Sequence, residues 1–165
     1  MWIIVLGIYL SMSSIPSALG FEQQKLVLQN IYTANSAYCA IRVNKAIALE
    51  NRNSAYEGRG LGSSSINTIL MLENGINDIA IDFGSLDWFS KNEQIRQRNT
   101  FTQDAHCNLQ VKLETQHHSV TLTTLNIKID DHGIPYANIE DGNGKPAPKK
   151  VVAQAVTAFQ TEDGH

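Results

Sequence analysis

Few side chains in this 165-residue chain could do chemistry: five histidines, two cysteines, sixteen acidic residues and one adjacent aromatic pair, Trp88-Phe89. Catalysis or metal binding requires such groups at defined spacings. His117 and His118 are neighbours, so on a strand they point to opposite faces and cannot grip one ion. The chain contains no H-x-x-x-H or C-x-x-C pair. His106 adjoins Cys107, but a Cys-His dyad needs an exposed thiolate, and Cys107 reads as core-facing. Asp130-Asp131 and Glu140-Asp141-Gly142-Asn143 offer hard oxygen donors of the kind calcium takes, without the EF-hand spacing. Asp, Asn and Gly are also what ordinary turns use. Ser63-Ser64-Ser65 lacks the G-x-S-x-G elbow. Gly58-Arg59-Gly60-Leu61-Gly62 has the wrong spacing for a dinucleotide loop, and no Gly-Lys-Ser or Gly-Lys-Thr follows, so it reads as a flexible surface loop. The expectation is a protein with no catalytic set, no metal ligands and no cofactor.

What remains is binding. Trp88-Phe89 on a loop suits a sugar-stacking platform or a protein hot spot, and Tyr136 is a third candidate. The competing reading is structural: one of the pair plugs the open end of a sandwich, because an exposed Trp-Phe pair is costly without a partner.

Positioning these residues falls to strands. The clearest pattern runs from Ile66 to Phe83, where an apolar run meets Asn74-Gly75 and becomes strict alternation. Ile79, Ile81 and Phe83 take one face of that strand, and Asp78, Ala80 and Asp82 the other. Asn-Gly supplies the tight turn, since both residues tolerate positive φ. Similar patterning marks strands over 25–32, 37–43, 46–49, 107–113, 119–130 and 134–139. Tyr38, Ala40 and Arg42 point outward, as do Asn108, Gln110, Lys112 and Glu114. In 119–130 the phase slips from Val120 and Leu122 at even positions to Leu125, Ile127 and Ile129 at odd ones, which predicts a β-bulge near Thr123-Thr124. Residues 50–65 read as loop, 66–72 as strand or a single helical turn, and 140–150 as loop. Residues 151–159 suit a strand or a helical face.

Residues 1–20 carry no charge and hold an apolar run from Trp2 to Leu10, too short for the roughly 20 residues that span a bilayer. With Ala18-Leu19-Gly20 before Phe21, they read as a cleaved secretory signal, the alternative being an uncleaved N-terminal anchor. Residues 21–165 then form a single domain that is periplasmic or secreted, with no membrane insertion after cleavage. A net charge of −3 argues against nucleic acid as a partner. In an oxidising compartment Cys39 and Cys107 are expected to bridge, because both share a phase with core residues; two buried free thiols are the alternative.

Around Ile41-Arg42-Val43-Asn44, Ile69-Leu70-Met71-Leu72 and Gly75-Ile76-Asn77, the chain resembles the galactose-binding-domain-like jelly-roll modules. The shared pattern is a strand ending in Val-Asn, a variable loop, a Leu-rich turn, Gly-x-Asn and an alternating strand. The resemblance covers roughly residues 40–85. It implies a non-catalytic module that binds sugar or serves as scaffold, and it carries over no sugar-contacting residue.

The sequence therefore points to an all-β, antiparallel, jelly-roll-like sandwich of about eight short strands. Three functions fit. The first is an exported non-enzymatic binding module with a protein partner, such as a toxin that a periplasmic immunity protein neutralises. The second is a carbohydrate-binding module using Trp88, Phe89 and Tyr136. The third is a glycoside hydrolase-like enzyme using dispersed carboxylates about 5–9.5 Å apart.

Overall fold

The alternation read from the sequence becomes strands wherever the chain is described, which in this computed structural model is residues 2–8, 26–146 and 150–152. The strands are β1 (Trp2–Ile8), β2 (Val27–Asn35), β3 (Tyr38–Val43), β4 (Ala46–Glu50), β5 (Gly62–Asn67), β6 (Asn77–Gly84), β7 (His106–Glu114), β8 (Ser119–Ile129), β9 (Pro135–Asp141) and β10 (Lys150–Val152). Two short helices, α1 (Arg52–Tyr56) and α2 (Glu93–Arg96), lie among the connections. One sheet, A, has the order β10-β1-β6-β3-β4, and the other, B, the order β5-β2-β7-β8-β9, with antiparallel pairing throughout. This is an all-β sandwich, and the eight strands of residues 26–146, β2 to β9, match the number read from the sequence.

Core-facing alternation builds the interior. Cys39, Ile41 and Val43 of β3 and Ile79, Ile81 and Phe83 of β6 meet Leu28, Tyr32, Leu109, Val111, Leu125 and Ile127 of sheet B in one buried cluster. Phe101, from the loop before β7, stacks on Phe83 with ring centroids 5.1 Å apart. Cys39 and Cys107 form the expected disulfide, which links β3 of sheet A to β7 of sheet B with Cα atoms 6.2 Å apart.

The bulge is on β8, one residue before the expected place. Pairing passes from Val111↔Thr123 to Lys112↔Thr121, so Leu122 is the extra residue that returns Val120 to the side of Leu113. Residues 66–72 resolve into the end of β5 and a 3₁₀ turn, Ile69–Met71. The Val-Asn and Gly-x-Asn elements meet there: Asn44 Nδ2 donates to Asn77 Oδ1 at 2.8 Å and to the Met71 carbonyl at 2.8 Å.

Two expectations change. Residues 50–65 are not loop throughout, for they contain α1 and the edge strand β5. β5 is serine-rich and gives no apolar alternation; pairing with β2 makes it a strand. Two glycines of the run 58–62 sit against neighbouring atoms. Gly60 has φ +61°, and a Cβ there would lie 2.5 Å from the Ala37 nitrogen; one at Gly62 would lie 2.7 Å from the Tyr32 hydroxyl. Residues 2–8, within the stretch expected to be a secretory signal, form β1, seated between β10 and β6, while the expected cleavage junction and residues 153–159 lie outside the described residues.

Candidate functional site

The three aromatic candidates occupy two faces of the sandwich. Trp88 and Phe89 belong to a 3₁₀ turn, Leu86–Phe89, whose entry is capped by Ser85 accepting from the Asp87 N–H. The Trp88 indole lies against Gly84, where a Cβ would come within 2.7 Å of the ring. Phe89 packs on Tyr38 at 5.2 Å between centroids and meets Tyr56 edge-on at 4.9 Å. With Ala55 of α1 and Leu86, these rings cover the outer face of sheet A at Tyr38 and Ala40. The pair thus packs on a sheet face and does not plug the end of the sandwich: Trp88 lies against Gly84 and Phe89 against Tyr38 and Ala40. Tyr136 is elsewhere, 48 % exposed on the outer face of the edge strand β9, in register with Lys128.

Beside these rings, the outer face of sheet A holds a charged row. Asp82 and Glu50 flank Ala40, each paired with it across a strand. Tyr38 donates its hydroxyl to Glu50 Oε2 at 2.8 Å, and Arg52 Nε donates to the same oxygen at 3.2 Å. Burial pushes the Tyr38 hydroxyl up to about 12; the Arg52 hydrogen bond opposes this and the Glu50 carboxylate reinforces it. Arg42 Nε donates to Asp82 Oδ2 at 2.5 Å. Asp82 is 1 % exposed, and its Oδ1 accepts no hydrogen bond. Both carboxylates are therefore engaged by fixed cations or donors, an arrangement that anchors a sheet face.

Sheet B presents a different outer face. Register aligns Thr33 of β2 with Asn108 of β7, Asn108 with Asn126 of β8, and Asn126 with Asn138 of β9. At the spacing of neighbouring strands this row runs about 14 Å. Asn108 donates to Asn126, and Asn138 Nδ2 donates to Glu140 Oε1 at 3.0 Å. Thr33, Asn108 and Asn126 also line an open hollow of about 590 Å³, bounded by Asn35, Asp104 and Lys128. Asp104 is held below the usual carboxylate range by hydrogen bonds from Thr102, Ser36 and Asn35. Asn35 Nδ2 reaches its Oδ2 at 2.8 Å, and Ser36 Oγ reaches it at 3.0 Å.

Sequence reasoning placed Asn108 outward but did not join it to Thr33, Asn126 and Asn138, since only pairing register puts the four in one row. Of the histidines, His106 lines this hollow, with Nδ1 2.8 Å from the Asp104 carbonyl oxygen, and His117, His118 and His132 sit exposed at turns. Among the described residues no three His, Cys, Asp or Glu side chains gather as a metal site, and no helix is long and apolar enough to cross a membrane. No protein-family model, curated protein or solved structure matches the chain.

Proposed function

We propose that this chain is an exported, non-enzymatic binding module that loses residues 1–20 on export and takes a neutral glycan on the outer face of sheet B. The observation that supports this reading is the row Thr33–Asn108–Asn126–Asn138 running into the hollow. Each amide is a double donor and a double acceptor without net charge, the chemistry that matches a surface of neighbouring hydroxyls. Tyr136 stands on the same face, beside Lys128, and offers an exposed ring to the apolar side of a sugar. Trp88 and Phe89 have no part in this site, because the packing of sheet A uses their faces.

The test is a glycan array probed with the processed protein, followed by titration of the best ligand. Asn126→Ala and Tyr136→Ala should each weaken binding about tenfold, the worth of one buried polar contact or one stacked ring. Silence across the array, or a ligand indifferent to both substitutions, would remove the reading. A second reading, a protein partner, draws on exposed apolar side chains near the Asn44–Asn77 contact: Leu70 at 95 % and Ile76 at 60 % exposure. Leu70→Asp would abolish that partner's capture and leave glycan binding unchanged.

A further inference from the structure

β6 is an interior strand of sheet A because β1 pairs along its length, from Trp2↔Phe83 to Ile8↔Asn77. β1 lies within the segment that the proposed export step removes. A chain of residues 21–165 exposes one side of β6 as a row of unpaired N–H and C=O groups, which is a template for another strand. We propose that this edge is a strand-acceptor site, taking an extended segment of a partner protein antiparallel to β6, with a basic residue opposite Asp82. The inference rests on removal of residues 1–20 and not on the glycan site.

The edge specifies its guest. Ile79, Ile81 and Phe83 face the core, so a strand aligned with them must carry apolar side chains at alternate positions. In the intervening row stands Asp82, buried, with Arg42 on Oδ2 and no donor on Oδ1. A sealed carboxylate oxygen without a donor is costly, and the residue paired with Asp82 in the present register is Ile3, a residue type with no side-chain donor. An arginine or lysine at that position supplies both the donor and the opposite charge.

Two other occupants fit less well. A second copy aligned β6 to β6 brings Asp78 and Asp82 of one chain beside those of the other, and like charges across a ladder destabilise it. The chain's own β10 pairs over three residues, and being antiparallel to β1 it runs parallel to β6, the weaker pairing mode.

The experiment uses the exported protein, with intact mass establishing that residues 1–20 are gone. Two synthetic heptapeptides serve as probes, one with the sequence of residues 2–8 and one with the same sequence carrying Ile3→Arg. The arginine peptide should bind at least about tenfold more tightly, and hydrogen exchange at residues 77–84 should slow when it binds. Asp82→Asn in the protein should bring the two peptides to near parity. Because the peptide substitution leaves the protein unchanged, the comparison holds even if that variant folds poorly. The alternate β6 amides that do not bond to β3 already protected without peptide, equal binding of the two peptides, or no binding overturns this proposal alone. Retention of residues 1–20 overturns it together with the export reading.

Discussion

Tyr38 shows how a single residue ties outer-face packing to pH. Its ring is 2 % exposed under Phe89, and its hydroxyl donates to Glu50. The folded protein titrates it near 12, against an ordinary value of 10. The proton is thus held more tightly in the folded than in the unfolded chain, and the associated stability is fully present below about pH 10. It is lost as pH rises from about 10 to about 12, a change of roughly 3 kcal/mol. Tyr38→Phe should flatten that part of the alkaline stability profile, measured by urea unfolding across the interval; an unchanged slope would assign the loss to other groups. Alternation alone showed Tyr38 facing outward. Its burial was illegible, because the ring above it comes from Phe89, about fifty residues away in a stretch that carries no strand pattern. Asp82 was partly legible: its phase is evident in the sequence, but not its burial.

Elements were legible where one face is apolar and illegible where pairing alone makes the strand. β3, β6, β7 and β8 announce themselves by alternation, and the phase slip in β8 placed a bulge within a residue of Leu122. β5 is glycine, three serines, isoleucine and asparagine, and only its ladder with β2 shows it to be a strand. The amide row suffered likewise, since each member is an unremarkable outward polar residue until four strands fix their register. The bulge has a consequence that pattern reading could not reach. It brings the Thr121 carbonyl against Gly142, where an added Cβ would lie 2.1 Å from the oxygen. That oxygen and the Thr121 carbonyl carbon, 3.2 Å from the added Cβ, are backbone atoms, so no flexible side chain can yield. Gly142→Ala should cost about 2–3 kcal/mol of stability in denaturant unfolding. Gly144→Ala is the control: its φ of +74° opposes a side chain, but among the described residues, its chain neighbours aside, no atom lies within 4 Å of the new Cβ. Its cost should stay nearer 1 kcal/mol. Equal losses would mean that the bulge can relax.

At the scale of the whole molecule the question is whether two sheets with different outer faces behave as one unit. The buried cluster draws from both: Ile41, Ile81 and Phe83 on one side, Leu109, Leu125 and Ile127 on the other. Neither sheet can bury its apolar face alone, so unfolding should be cooperative without any covalent link. The Cys39–Cys107 bridge closes a loop of 68 residues between the sheets, and the chain-entropy account gives it roughly 4 kcal/mol, acting on the unfolded chain. Reduction should therefore lower stability by about that amount without separating the sheets. With residues 1–20 removed, Trp88 is the one tryptophan left, and it sits on the outer face of sheet A against Gly84. Its fluorescence follows sheet A, whereas far-UV circular dichroism follows all the strands. The two denaturant transitions should coincide in the oxidised protein and again, at a lower midpoint, in the reduced one. A Trp88 transition that precedes the dichroism change after reduction would show sheet A melting from a sheet B that survives alone, and the shared core would then be insufficient to hold the sandwich together.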